Sequence, residues 1–415
     1  MNFKFFKKIV SKIPYSKIIF LNLNRLLNGK LLTYSSLNKK SISITKFSLK
    51  NHHIFFGYYD INPFNKNNSK LLAIKTKSDL KVPVEIGFFY LNNPNKFLSL
   101  GITKSWNWQQ GARLRWFEEN NKKLISYNDF INGKYVNIIK NIENKEIEKL
   151  IPFPLYDISA DRKIGLSLNF SRLQRLRPGY GYSNIEDFTL ANKCPDNDGI
   201  YLVNINTNKS KLIISYSNLI KEFPLNHKYN NTYHYFNHLS FNPSGNKFLF
   251  FHLMQHDNLK ANRLFIFNMK TMKVLLIEDK LTVSHYTWRD DNNILITAVD
   301  KNNNKTYYII YDIEKMSKRI LSNRFLNKDG HPSFSKDKKF IISDTYPDIN
   351  NNQDLFYYNI KNNKYIKLGS FYRRYKYNGE TRCDLHPRIS NDSKYISFDS
   401  THSGLRSQYV LKFKI

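Results

Sequence analysis

A short repeated unit constrains the fold of this chain more than any other feature of the sequence. Its clearest copy is Gly330–Asp344, in which a small residue and a histidine lead to an aromatic residue, a polar turn and a short apolar stretch ending in Asp. Two strands joined by a tight turn fit this pattern. Because the unit recurs along the chain, it indicates a repeat architecture.

The aromatic or aliphatic residue at the centre of each copy serves as a register mark. Seven copies can be aligned on it, at Phe64, Trp116, Ile158, Phe241, Trp288, Phe334 and Ile389. Each copy opens a group of four short apolar segments separated by polar turns, and such groups are typical of β-propeller blades. The sequence therefore predicts an all-β fold, a seven-bladed β-propeller with four-stranded blades.

The last copy is followed by too few strands to complete a blade. After Ile389 come two strands and then a third, Gln408–Phe413. Upstream of the first copy, Ser41–Leu49 alternates in the manner of a strand. We expect this N-terminal strand to complete the last blade, which closes the ring and removes an exposed sheet edge.

The predicted organisation is a single propeller domain over 41–415, preceded by a basic extension over 1–40. Within the extension, Met1–Leu32 mixes apolar and basic residues in the pattern of an amphipathic helix. It is too short and too charged to span a bilayer, and it lacks the features of a signal peptide. Three readings stay open: a helix on an anionic membrane face, a helix packed on the domain, or a frayed tail.

The interval between the third and fourth copies is much longer than the others and holds an insertion over about 169–198. Long insertions in compact folds are usually functional or disordered. We expect an extended loop that crosses one face of the ring. Its basic residues Arg172, Arg175 and Arg177 are candidates for contacts with an anionic substrate.

The composition is strongly basic, with 65 Lys and Arg against 33 Asp and Glu and a formal charge of +32. A positive electrostatic field of this size favours anionic partners. The alternative is a solvated, Lys-rich surface that reflects composition and has no binding role. No zinc finger or other nucleic-acid signature is present, so nucleic acid is not an expected partner. The two cysteines imply no disulfide framework and favour a reducing, cytoplasmic location.

Four histidines share one position in consecutive copies, three residues before the register mark: His238, His285, His331 and His386. The first strand of each propeller blade lines the central channel, so these residues should form an arc around one mouth. The second strand ends at the same mouth, with His252, Asp344, Asp399 and His402 as candidates. Imidazoles and carboxylates together suit a divalent metal such as Mn, Fe or Zn. The alternative is a structural role between blades.

The first blades supply candidates for the other side of this mouth. Arg113 occupies the histidine position in the second copy, and Tyr59 follows the first strand. Aromatic faces stack on sugar rings, and Arg binds carboxylates. The candidate substrate-binding residues here are His53, Tyr58, Asp60, Trp106, Trp108 and Gln110. For the aromatic residues, a place in the blade core is the alternative.

The H-P-x-F-S-x-D-x-K unit resembles the TolB-like propeller repeat. The last blades, over about 230–402, resemble those of oligogalacturonate lyases. The whole pattern is also similar to propellers encoded among bacterial surface-polysaccharide genes. The lyase resemblance implies a seven-bladed enzyme that holds Mn in its channel through three His and a Gln. It makes His285, His331, His386 and His402 the ligand candidates, while the Gln ligand has no certain counterpart.

The same resemblance implies β-elimination on an acidic oligosaccharide. In that reaction the metal and an Arg neutralise the substrate carboxylate, and a base removes the neighbouring proton. The candidate base is His238, or else Tyr59 or Arg113 on the far wall of the channel. The rival hypothesis is a non-catalytic propeller that binds glycan or protein in surface-polysaccharide assembly, peripherally at the inner membrane.

Overall fold

The computed structural model describes residues 42–77, 83–117, 122–257, 259–322 and 324–413. The amphipathic helix predicted for the N-terminal extension lies outside these residues. In the part of the chain that is described, no helix combines the length and the apolar character needed to cross a membrane.

The described strands form seven antiparallel sheets of four strands each, which confirms the predicted propeller. Blade 1 contains β2–β5 (His53–Phe55, Lys70–Thr76, Val84–Tyr90, Phe97–Thr103). Blade 2 contains β6–β9 (Arg115–Trp116, Leu124–Ile131, Lys134–Asn141, Ile147–Ile151). Blade 3 contains β10–β13 (Asp157–Ile158, Ile164–Leu168, Gly199–Asn204, Lys209–Ser215).

Blades 4 and 5 have longer inner strands than the other blades, whereas that of blade 6 is short. Blade 4 contains β14–β17 (Tyr233–Phe241, Lys247–His256, Leu259–Asn268, Lys273–Glu278). Blade 5 contains β18–β21 (Thr282–Trp288, Asn293–Asp300, Lys305–Asp312, Ser317–Ile320). Blade 6 contains β22–β25 (Ser333–Phe334, Phe340–Asp344, Asn352–Asn359, Tyr365–Tyr372).

Blade 7 joins the two ends of the described chain. It contains β26–β28 (Arg388–Ile389, Tyr395–Ser400, Ser407–Phe413) and, as its outer strand, β1 (Ile42–Phe47). Strand β1 pairs antiparallel with β28 along its whole length, from Ile42 opposite Phe413 to Phe47 opposite Gln408. The predicted closure by an N-terminal strand is confirmed.

The inner strand of blade 1 is interrupted, and this interruption fills the channel. Strand β2 pairs with β3, and Phe64 forms a separate bridge to Leu71 farther along β3. The intervening residues 56–63 leave the sheet. They carry Tyr58 and Tyr59, whose rings contact histidines from the blades across the channel.

Helical segments occur in connections at the rim. Helix α1 (Phe170–Leu176) lies in the insertion and α2 (Tyr216–Glu222) follows blade 3, while 3-10 turns cover His227–Tyr229 and Gly379–Thr381. Sequence reasoning treated the insertion as loop and did not identify α1. Asn169 caps this helix by accepting the backbone N–H of Arg172.

The hydrophobic core lies between the faces of adjacent blades. Alternating apolar residues of neighbouring sheets are buried together, such as Phe248, Phe250 and Phe265 in blade 4. Cys194 and Cys383 are free thiols, the second fully buried.

Candidate metal centre

Three of the residues that lie three positions before a register mark have an unusual backbone conformation. This conformation directs their side chains toward one mouth of the channel. Arg113, His238 and His386 all have positive φ, at 53°, 54° and 46°. This conformation is uncommon for residues other than Gly, Asn and Asp, and it is often retained at functional sites. Irregular register follows Asn237 in β14 and precedes His285 in β18. Such irregularities re-aim side chains at a strand end.

Three of the four histidines meet at this mouth. The ring of His331 lies 4.0 Å from that of His285 and 4.3 Å from that of His386, measured between centroids. In each ring Nδ1 is already engaged. It contacts Asp329 at 3.2 Å in His285, Asp344 at 2.9 Å in His331, and the carbonyl oxygen of Gly57 at 3.0 Å in His386. A histidine that donates through Nδ1 presents Nε2 as a metal ligand.

The Asp344 carboxylate braces two of these histidines. It accepts the backbone N–H of His331 at 2.7 Å and that of His386 at 3.1 Å, besides the imidazole of His331. The segment before His331 lies close against β23. A Cβ on Gly330 would be only 1.8 Å from the carbonyl oxygen of Asp344, so no larger residue fits there. Gly330 thus permits the close approach of His331 to its carboxylate.

Three ligand atoms, one each from His331, His386 and Asp384, lie within 4.8 Å of one another. Among the described residues, His331 Nε2, His386 Nε2 and one carboxylate oxygen of Asp384 have no hydrogen-bond partner. The three residues are at most 1% exposed. Leaving buried polar atoms unpaired is costly, and a bound divalent ion would satisfy all three. The donor set of two imidazoles and a carboxylate fits Mn, Fe or Zn.

Sequence reasoning missed Asp384. It lies two residues before His386, outside both positions that the blade register pointed to. Its other oxygen accepts Nε–H of Arg382 at 2.7 Å, which holds the carboxylate in place. The signal available in the sequence was the D-L-H spacing, which places both side chains on the same side of an extended segment.

Two of the predicted ligands lie outside this group of three atoms. His285 stands beside it, with Nε2 3.5 Å from the hydroxyl of Tyr346. His402 also lies outside it, and its ring packs on Tyr409 and Phe371 at centroid distances of 4.6 and 5.3 Å. It belongs to the aromatic packing of blade 7.

Two other candidates at strand ends have structural roles. His252 bonds to His234 at 2.9 Å and to Arg263 at 3.0 Å within blade 4. Asp399 accepts from Arg388 and Arg406 in blade 7. Such fully paired buried groups order the blades.

The electrostatics of the histidines follow from burial and from their carboxylates. Burial lowers the pKa of His386 well below the ordinary value, and the neighbouring His331 adds to this effect. Burial, with a contribution from Arg177, also lowers the pKa of His238. For His331, burial acts in the same direction, but Asp344 outweighs it and the pKa is raised.

Tyr59, a predicted catalytic residue, is hydrogen-bonded to the backbone of blade 5. Its hydroxyl donates to the carbonyl oxygen of Tyr286 at 2.8 Å and accepts the N–H of that residue at 3.1 Å. Burial raises its pKa well above the ordinary value. The ring of Tyr58 stacks on His238 at 4.9 Å and meets His386 edge-on at 4.6 Å, both measured between centroids.

Arg113, a predicted catalytic residue, is buried among partners in the channel wall. Its guanidinium pairs with Asp60 at 2.7 Å, donates to the carbonyl oxygen of Tyr156 at 2.8 Å and stacks on the ring of that residue. The carboxylate of Asp60, a predicted substrate-binding residue, therefore neutralises Arg113.

Gln110 lies in the channel wall near His238. Its amide donates to the hydroxyl of Tyr156 at 2.6 Å, and its carbonyl oxygen is buried without a hydrogen-bond partner. His53 is enclosed behind Trp108, and its Nδ1 accepts the backbone N–H of Arg406 at 3.1 Å. His53, a predicted substrate-binding residue, thus contacts other parts of the blades.

Two arginines of the insertion hold the insertion itself. Arg172, a predicted substrate-binding residue, is fully buried and donates to backbone oxygens of His234, Asn192 and Lys193. Arg175, predicted for the same role, donates through two nitrogens to one oxygen of Asp187, at 3.0 and 2.8 Å.

Arg177 differs from them, because it reaches the channel. It lies 4.4 Å from the ring centroid of Tyr180, and its Nε is buried without a hydrogen-bond partner. The Tyr180 hydroxyl accepts from Arg382 at 3.1 Å. Burial alone would raise the pKa of Tyr180, but Arg177 and Arg382 outweigh it and lower the pKa. Tyr180 is a functional candidate that sequence reasoning missed, within R-P-G-Y-G-Y.

Two cavities flank this centre. A groove of about 620 Å³ runs between the insertion and the blade 2 connection, and Trp106 and Trp108 line it together with Gln174 and Glu380. A smaller cavity of about 220 Å³ inside the channel is lined by Tyr58, Asp60 and His238, among others.

Together, the fold and this site define a seven-bladed β-propeller with a candidate metal centre at one channel mouth. An oligogalacturonate lyase in complex with manganese is similar in structure, with a TM-score of 0.66 and 15% identity over 92% of this chain and 96% of that chain. An oligogalacturonate lyase from Vibrio parahaemolyticus gives a TM-score of 0.65 and 14% identity over the same shares. At these identities the likeness concerns the fold alone.

TolB from Acinetobacter baumannii also matches, with 14% identity over 89% of this chain and 96% of that chain, at a TM-score of 0.40. No protein-family model and no curated protein matches the chain. The resemblance to lyase-type propellers noted in the sequence is confirmed for the fold.

Proposed function

We propose that this protein is a metal-dependent lyase that cleaves an acidic oligosaccharide by β-elimination. One observation carries the proposal: three buried ligand atoms, from His331, His386 and Asp384, face one another without other partners. The fold of manganese-bound oligogalacturonate lyase supports it. We take Mn²⁺ as the first metal to test.

A divalent ion held by these residues would supply positive charge beside the substrate carboxylate and so acidify the neighbouring C–H. The chain contributes further positive charge through Arg177, which lies over the ring of Tyr180, whereas Arg382 is paired with Asp384 at 2.7 Å. Arginine binds carboxylates through paired N–H groups, so Arg177 would orient the uronate. It replaces Arg113 in the role that the sequence first suggested.

The proton acceptor in this proposal is His238. Its buried, neutral imidazole lines the small channel cavity, with Nε2 3.5 Å from the Tyr58 hydroxyl. His238 Nε2 takes the proton from carbon 5 of the uronate. The C–H electrons form the C4–C5 double bond, the C4–O bond breaks, and the leaving sugar oxygen takes up a proton from water, while His238 releases its proton to water after the products leave. Tyr180 is placed to assist, because its hydroxyl lies between two arginines.

The groove beside the insertion suits the rest of the saccharide. Trp106 is partly exposed there, and the polar side chains of Asn107, Gln174 and Asn184 line the same space. A ring-stacking indole among amide groups is the combination that binds sugars. In this arrangement the saccharide lies along the groove and only one uronate reaches the centre.

The test is incubation with uronate oligosaccharides and Mn²⁺, followed by the ultraviolet absorbance of the unsaturated product. We expect turnover that falls on the order of 100-fold in His238→Ala, since a general base contributes that much or more. His402→Ala, the matched control, should keep activity. Absence of product over a panel of uronate oligosaccharides, with metal bound, would overturn the lyase proposal.

A second candidate function is non-catalytic glycan binding in surface-polysaccharide assembly, at the cytoplasmic face of the membrane. One observation favours it: two of the three groups expected to catalyse, Tyr59 and Arg113, are committed to structural partners. Saturable binding of an oligosaccharide in the groove without turnover, lost in Trp106→Ala, is the outcome that this alternative predicts.

A further inference from the structure

The channel mouth opposite the candidate metal centre opens into a basin of about 740 Å³. The inner strands run from the histidine mouth to this one, so the register marks Phe64, Trp116, Phe334 and Ile389 line the basin at their far ends. Turns that follow these marks form its rim. Blades 1, 2, 3, 6 and 7 all contribute.

The basin carries an excess of positive charge. Its lining contains the cations Lys66, Arg115, Arg162 and Lys336 and the carboxylates Asp60 and Asp157. Both carboxylates are already neutralised, since Asp60 pairs with Arg113 at 2.7 Å and Asp157 with Arg115 at 2.7 Å. Among the described residues, no carboxylate pairs with Lys66, Arg162 or Lys336. Cations gathered in a concave site focus the field on one bound anion.

One of these cations, Arg162, stands at an unusual backbone position. Four residues after the register mark the backbone is left-handed, and blades 1 and 4 carry Asn68 and Gly245 there, the residue types that suit it. Blade 3 instead has Arg162, at φ 60°, and blade 6 has Lys338, at φ 59°. The Arg162 guanidinium lies over the ring of Phe117 at 5.4 Å, which holds it at the rim.

The wall between the cations is aromatic and polar. The indole N–H of Trp116 donates to the carbonyl oxygen of Pro63 at 2.8 Å, which fixes the partly exposed ring. Asn62, Ser390 and Asn391 line the remainder of the wall. A fixed ring among amides, surrounded by cations, matches a sugar that carries oxyanions.

We propose that this basin is a second binding site, specific for an anionic saccharide whose phosphate or carboxylate groups contact Lys66, Arg162 and Lys336. The proposal depends neither on the metal nor on elimination chemistry. Phosphorylated sugars and oligouronides share the oxyanions that such a site recognises, and the experiment separates them.

The test is calorimetric titration at physiological salt with three probes: glucose 1-phosphate, trigalacturonate and neutral maltotriose. The basin variant combines Lys66→Gln, Arg162→Gln and Lys336→Gln. The control variant removes the same charge from exposed strand and turn positions through Lys211→Gln, Lys273→Gln and Lys361→Gln. The expected result is saturable binding of one or both charged probes, weakened at least 10-fold in the basin variant and unchanged in the control.

Binding should also persist in His331→Ala, which distinguishes this basin from the candidate metal centre. The double variant Lys66→Gln and Lys336→Gln, in which both side chains are exposed, provides the same comparison if the triple variant unfolds. Three results would overturn the proposal: no saturable binding of either charged probe, equal weakening in basin and control variants, or binding that His331→Ala abolishes.

Discussion

Asp344 supports two of the three candidate ligands. One oxygen accepts both the backbone and the imidazole N–H of His331, and the other accepts the backbone N–H of His386. A carboxylate behind a histidine ligand fixes its tautomer and orientation and strengthens it as a donor to metal. The metal affinity of this site should therefore depend on a residue that touches no metal.

Replacing Asp344 with Asn should weaken Mn²⁺ binding about 10–100-fold, the usual effect of losing a carboxylate behind a ligand. An amide accepts through one oxygen only, so it cannot brace both histidines. Asp337→Asn, in the exposed turn after β22, is the control and should bind metal as the wild type does. Equal affinity in Asp344→Asn and the wild type, measured by calorimetry, would contradict the bracing role.

Much of this site was predictable at the level of single residues because the repeat fixes the register. His285, His331 and His386 share one position in three blades, and the structure brings their rings together. His402 follows β27 and packs on the ring of Tyr409, a contact that the repeat register does not predict. No periodic signal marks Asp384.

At the scale of elements, blade 4 contains a buried polar chain that links three side chains. His234 bonds to His252, and His252 accepts from Arg263. Burial lowers the pKa of His234 to about 4, with Arg172 as the next cause. Both histidines are therefore neutral in the folded blade at neutral pH.

This shift predicts acid destabilisation. The pKa of His234 is lower in the folded protein than in the unfolded chain. Above about pH 6.5 the imidazole is neutral in both states, so the shift does not change stability there. As the pH drops toward 4, the unfolded chain takes up a proton that folded His234 does not, and the free energy of unfolding falls. One such group contributes a slope of up to about 1.4 kcal/mol per pH unit. Urea unfolding at pH 7, 6 and 5 should show this slope, and a shallower one in His234→Gln.

The exposed His227→Gln variant provides the control for that comparison and should keep the wild-type slope. If His234→Gln loses stability between pH 7 and pH 5 as steeply as the wild type, the buried chain of blade 4 is not a source of acid sensitivity.

The position of the insertion was predictable from the sequence, but the contacts of its arginines were not. Its length and basic residues indicated a segment over one face of the ring. Arg172 and Arg175 bind residues of that segment, whereas Arg177 reaches the channel. The sequence gives no signal that distinguishes these three arginines, which lie within six residues. Only the packing of α1 against blade 4 decides which side chain faces which way.

The whole molecule is a ring, and the pairing of β1 with β28 closes it. Seven repeats, one of them short by a strand, were enough to predict both the number of blades and the closure. Ion pairs in the channel, such as that of Asp60 with Arg113, were not predictable from the sequence. They join residues of different blades, and the distances between blades depend on the diameter of the ring.

Removal of residues 1–47 should destabilise the ring and promote association, because β28 becomes an unpaired edge. Removal of 1–40 leaves β1 in place and should keep the ring closed, which also tests the predicted domain boundary. Thermal unfolding and size-exclusion chromatography measure both effects. Equal unfolding temperatures for the two truncated proteins would contradict the role of β1.

We propose that the channel mouth binds a divalent metal through His331, His386 and Asp384. Calorimetric titration of Mn²⁺ into chelator-treated protein tests this proposal. We expect one site per chain, lost in His386→Ala and retained in His402→Ala, with both variants folded by thermal unfolding. No saturable Mn²⁺ site in the wild type, or equal loss in the two variants, would overturn the proposed metal site.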